Sequence, residues 1–158
     1  MPPTIKHPSE WIRNYQSQPP VDVSKMATDL GLLVLELDTM PTGASGKLFP
    51  DAHSDSGWSI GVNKSDSLTR KRFTIAHELS HYLLHRSDIR DGVLDDMFYR
   101  SEHMSGAKET EANRFAADIL MPYDLLQSYA RDLNVDELAR KFGVSSQAMS
   151  IRLGIPLP

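Results

Sequence analysis

The sequence predicts an α+β fold: a small antiparallel sheet packed on two long amphipathic helices and closed by a helical C-terminal tail. Three observations predict it. Short apolar runs bounded by turn residues cluster between residues 32 and 63. Apolar residues then recur at intervals of three and four over 68–86 and again over 108–120. Three more short helical segments follow a proline at 122. Strands grouped apart from helices are the mark of an α+β arrangement rather than an alternating one.

The elements follow in chain order. Residues 9–18 read as a short helix, with Ser9 as its cap and Pro19-Pro20 as its stop. Residues 22–30 read as a second, with Met26, Ala27 and Leu30 on one side and Gly31 just past its end. Residues 32–37 read as a buried strand. Weaker strands are expected at 45–49 and at Trp58–Asn63, separated by turn-forming residues over 50–57. Over 68–86 the stripe of Phe73, Ala76, Leu79 and Leu83 predicts a helix, capped by Asp66 or Ser67. Residues 87–107 are polar and aperiodic, and a loop this long in one domain is often functional. The helix over 108–120 carries Ala112, Phe115, Ala116 and Ile119 and is stopped by Pro122. Residues 123–131, 135–142 and 146–153 read as short helices, the last two joined by Gly143-Val-Ser-Ser.

Length and composition set the limits. At 158 residues, 40% of them hydrophobic, the expectation is a single domain over 1–158, with a core over 1–121 and a helical tail over 122–158. The absence of cysteine excludes disulfides, thiolate metal sites and cysteine nucleophiles. A net charge of -4 makes nucleic acid an unexpected partner. The N-terminus lacks a signal-peptide layout, and the most apolar run, 30–37, falls short of the ~20 residues that span a bilayer. A cytoplasmic protein with no membrane association is expected.

The chemistry concentrates in His77-Glu78-Leu79-Ser80-His81, an HExxH pattern inside the first long helix. Residues four apart on a helix share one face about 6 Å apart, so two imidazoles can converge on one ion. The intervening glutamate can reach a metal-bound water as general base. Catalytic zinc takes three protein ligands, so a third is needed. His85 continues the spacing, but at 1.5 Å rise per residue it lies ~12 Å along the axis from His77. It reads instead as a partly exposed histidine near a helix C-terminus. A longer three-histidine pattern would need Gly at 84 and His at 87, where this chain has Leu84 and Ser87.

A glutamate on the second long helix remains. At ~100° per residue, Glu109 lies about 60° from Ala112 and 20° from Ala116, on the buried side. Glu111 lies about 100° from Ala112 on the other side and reads as a solvated helix-start carboxylate. Geometry favours Glu109. Asn113, one turn later, is placed to hold His77 through its non-ligating nitrogen.

The block 72–85, Arg-Phe-Thr-Ile-Ala-His-Glu-Leu-Ser-His-Tyr-Leu-Leu-His, is followed at 109–122 by Glu-Thr-Glu-Ala-Asn-Arg-Phe-Ala-Ala-Asp-Ile-Leu-Met-Pro. Together they closely resemble the ImmA/IrrE family of metallopeptidases. The resemblance implies a minimal zincin-like domain of gluzincin arrangement, with Zn2+, or another divalent metal such as Mn2+, held by His77, His81 and Glu109. It implies Glu78 as catalytic base and a supporting Asp or Asn four residues after the glutamate ligand, where this chain has Asn113. It also implies a protein substrate, an XRE-type helix-turn-helix repressor or an antitoxin-like partner. Some members carry an added DNA-binding domain, for which this chain has no evident room.

The leading expectation is therefore a zinc-dependent endopeptidase acting on such a repressor, with Trp58–Asn63 as an edge strand that holds the substrate extended. Tyr99, Arg100 and His103 in the long loop are candidates for further roles. A DNA-binding module is the alternative, because residues 138–153 have helix-turn-helix spacing. Its charge is thin, Arg140, Lys141 and Arg152 being offset by Asp136 and Glu137. A third reading is a toxin-like interaction protein with little proteolysis.

Overall fold

The computed structural model describes residues 3–40, 44–88, 93–96 and 106–155. The chain opens with a short helix α1 (Pro8–Trp11) that continues as a 3-10 turn, then α2 (Val23–Asp29) and strand β1 (Leu33–Leu37). Strands β2 (Ala44–Pro50) and β3 (Trp58–Asn63) precede the long helix α3 (Leu68–His85). Strand β4 (Val93–Asp96) and helix α4 (Gly106–Leu120) follow. Three short helices end the chain: α5 (Tyr123–Ala130), α6 (Val135–Phe142) and α7 (Ser146–Leu153). No described helix is long and apolar enough to cross a membrane.

Local chemistry sets most helix ends. The Asp22 carboxylate accepts from the Lys25 amide to start α2, and Ser67 accepts from Arg70 to start α3. Asn134 and Glu137 form a capping box on α6, whose end is set by Gly143 in the left-handed conformation at φ 68°. Ser145 starts α7. The first helix departs from expectation: it begins at Pro8, which needs no amide donor in the first turn, and Ser9 is not its cap.

The sheet has the order β1-β3-β2-β4. β2 and β3 form an antiparallel hairpin across the turn at 50–57, and β4 pairs antiparallel with the other side of β2. β1 pairs with β3 in parallel, so the sheet is mixed rather than wholly antiparallel as expected. A chain that reverses after β1 and again after β2 returns in its first direction, and β3 slots in beside β1. Two further corrections follow. β3 is central and paired on both sides, so its backbone has no edge to offer a substrate. The stretch 87–107, read as an aperiodic loop, contains β4.

The core lies between the sheet and the helices. Leu48, Ile60 and Val62 from the strands meet Ile75, Ala76 and Leu79 of α3, Ala116 and Ile119 of α4, and Met26 and Leu30 near α2. The tail closes this core, with Leu138, Ala139, Phe142, Val144 and Met149 buried in it. Arg72 of α3 fastens the tail by donating from Nε to the Gly143 carbonyl at 3.1 Å. Burial pushes its guanidinium pKa down, while the charge of Asp22 acts the other way.

At Gly46, β2 approaches α3 by bare backbone. A Cβ on Gly46 would lie 2.2 Å from Thr74 Cγ2, a distance no pair of carbons tolerates. Gly46→Ala is therefore expected to cost about 1–3 kcal/mol in overpacking. Thr74→Ser, which deletes the clashing methyl, should recover part of that loss in the same background. Chemical denaturation of the three variants checks this, and an unchanged midpoint for Gly46→Ala would contradict the close approach.

Candidate metal centre

α3 supplies two of the groups. Its buried residues Ala76 and Leu79 seat it against the core, and that register brings His77 and His81, one turn apart, beneath α4. Both imidazoles are buried, His81 completely. Glu109 comes from the first turn of α4, which crosses α3 at this level.

The donor atoms converge. His81 Nε2 stands 3.1 Å from His77 Nε2 and 2.8 Å from Glu109 Oε1, and Glu109 Oε2 is 3.4 Å from His77 Nε2. One ligand atom from each residue lies within 4.8 Å of the others. Two imidazole lone pairs facing each other repel unless a proton or cation lies between them, and the adjacent carboxylate adds negative charge. Nitrogens held ~2.0–2.1 Å from one tetrahedral zinc stand about 3.3 Å apart, close to the separation here. The three residues fit a divalent ion, and two histidines plus a glutamate form a donor set that leaves one position for water.

Glu78 follows His77 and is fully buried. Its Oε1 lies 3.5 Å from where a Cβ on Gly46 would sit, so the carboxylate rests between α3 and the bare backbone of β2. A side chain at 46 would intrude on that space.

His85 differs from expectation. It is outside the cluster of possible ligands, but it is buried at 3% exposure rather than partly exposed, because α4 covers this end of α3. Its Nδ1 is 3.1 Å from His81 Nδ1, and its Nε2 is 2.5 Å from Glu111 Oε1. Glu111 is exposed, as a helix-start carboxylate should be, but it is bonded to a buried imidazole rather than simply solvated. The ion pair Lys108–Asp88, at 2.7 Å, ties the same two helix ends together. The sequence carried a signal for this pair: His85 repeats the four-residue spacing of the motif, and Glu111 lies two residues beyond Glu109.

Asn113 lies one turn beyond Glu109, exposed, and lines a surface groove with Phe73, the residue one turn before His77. No hydrogen bond joins its amide to His77 among the described residues. Tyr99, Arg100 and His103 lie outside the described residues.

Comparison with known proteins gives consistent matches. The family model for M78 peptidases, described as the IrrE N-terminal-like domain, matches residues 27–154. The chain is 32% identical over 123 residues to the radiation response metalloprotease IrrE of Deinococcus deserti, covering 76% of this chain and 38% of that protein. It is 30% identical over 122 residues to the protein of the same name in Deinococcus radiodurans, covering 76% and 32%. Among solved structures, a Mycobacterium tuberculosis transcriptional regulator superposes with a TM-score of 0.61 at 26% identity, over 84% of this chain and 39% of that one. The chain thus spans about a third of the length of the curated relatives it matches.

Proposed function

Because the chain belongs to the M78 peptidase family, a family of metallopeptidases with an IrrE N-terminal-like domain, we propose that it is a zinc-dependent endopeptidase. Its proposed substrate is a helix-turn-helix transcriptional repressor of the XRE type. One observation carries the catalytic part: His77, His81 and Glu109, from two helices, present three donor atoms to one point beside the buried Glu78. The resemblance of the two motif blocks supports the choice of substrate, and the similarity to a transcriptional regulator suits a role in transcription control.

His77, His81 and Glu109 would hold the ion, which when bound supplies Lewis acidity and makes a nearby water more acidic. Glu78 takes the proton of the attacking water and returns it to the leaving amine, as a general base and then a general acid. Gly46 keeps the space beside this carboxylate open. β4 is the strand next to β2, and its outer edge has no strand partner among the described residues. That edge takes the role expected of β3: it can hold an extended peptide by backbone pairing.

Peptidase activity is better supported than DNA binding through the tail. Arg152 donates to the Met121 carbonyl and pairs with Asp118, and Lys141 lies 4.5 Å from the Tyr129 ring centroid. Two of the three cations over 138–153 thus make contacts within the protein, which thins the charge this segment could offer phosphates.

The test is to incubate the zinc-loaded protein with the XRE-type repressor encoded nearest to its gene and follow the products by mass spectrometry. A single cut, abolished by chelator and restored by zinc, is expected. A repressor left whole under every divalent metal tried would contradict the substrate assignment.

A further inference from the structure

We propose that His85 and Glu111 form a relay that fixes the tautomer and ring orientation of His81, so that both act as positioning residues for the metal. The inference rests on the metal-binding reading above and concerns how one of its ligands is held.

Proton placement sets the order of the relay. His81 Nε2 faces His77 Nε2 and Glu109, so the lone pair used for an ion must be on Nε2. A neutral imidazole has one N–H, which must then be on Nδ1. His81 Nδ1 lies 3.1 Å from His85 Nδ1, which can only accept that proton's hydrogen bond if it carries no proton itself. The His85 proton is therefore on Nε2, where Glu111 Oε1 waits 2.5 Å away. Each tautomer follows from the previous one, and the chain ends on a carboxylate whose other side meets water. Reversing the order would aim a His81 N–H at His77 Nε2 or Glu109 and leave the His85 proton pointing away from Glu111.

A carboxylate–histidine–histidine series raises the basicity of the ligating ring and holds it in place before the ion arrives. Burial of His85 at 3% exposure keeps water from competing for either nitrogen. The arrangement also explains why Glu111, although too far round the helix to join Glu109, is a glutamate: its charge favours the proton on His85 Nε2.

The test is zinc affinity by chelator competition, together with nitrogen-15 NMR of the ring nitrogens in the zinc-loaded protein. His85→Leu should weaken zinc binding about 10–100-fold, and His85→Asn, which retains an acceptor near the Nδ1 position, should recover part of it. Glu111→Ala, at an exposed position that folding tolerates, should weaken binding by roughly tenfold, the lower end of that range. The double variant should bind no worse than His85→Leu alone, as residues in one network are not additive. The NMR spectrum should show His85 protonated on Nε2 only. A contact that merely clasped the helices would lower the melting temperature of the metal-free protein and leave zinc affinity and tautomer unchanged. Unaltered affinity in Glu111→Ala, or a His85 proton on Nδ1, overturns the relay while wild-type zinc binding leaves the metal centre intact. A wild-type protein that takes up no zinc overturns both.

Discussion

Glu78→Gln is expected to lower cleavage of the proposed repressor substrate by about 10²–10⁴-fold, the range for loss of a positioned general base. Its zinc content should stay near that of wild type. The substitution keeps the volume and most of the shape of a side chain that is fully buried between α3 and β2, so the helix and its two histidines should keep their register. Only the ability to take and return a proton is removed. Turnover of the proposed repressor substrate, measured beside zinc content in the same preparation, separates this from loss of the metal. Undiminished cleavage at full zinc occupancy would remove Glu78 from the mechanism.

The second large effect is expected on affinity rather than rate. Glu109→Ala deletes a carboxylate that meets both histidine nitrogens, so zinc binding should weaken by more than the roughly 10–100-fold typical of losing an outer partner. Asn113→Ala should fall between this variant and wild type if the amide swings to His77 when the ion binds. It is exposed, lies one turn beyond Glu109, and lines the same groove as Phe73. Chelator competition on the three proteins ranks them. An Asn113→Ala protein that matches wild type would make Asn113 an ordinary surface residue.

Features governed by local chemistry were the most legible in the sequence. α6 and α7 begin and end where the sequence placed them because Asn134 and Gly143 cap the one, and Ser145 and Gly154 the other. The approach of Glu109, rather than Glu111, to the histidines follows from the angle between each glutamate and the apolar stripe of α4. Features decided by distant packing were not legible. Nothing local to residues 33–37 says that β3 will insert beside them in parallel. β4 offers only Val93 and Leu94 between acidic residues and glycine, too short a run to show a period, and it is a strand because β2 has a free side to pair with. The burial of His85 is illegible for the same reason. Its exposure depends on where α4 crosses α3, and that crossing turns a helix-end histidine into a buried link between a ligand and Glu111.

In the proposed metal centre, His77, His81 and Glu109 together hold one zinc ion. Diffraction from zinc-soaked crystals, recorded on both sides of the zinc absorption edge, tests it most directly. One strong anomalous peak is expected within bonding distance of His77 Nε2, His81 Nε2 and a Glu109 oxygen. A peak coordinated by Glu111 or His103 in place of Glu109, or no peak between the two histidines, would contradict it.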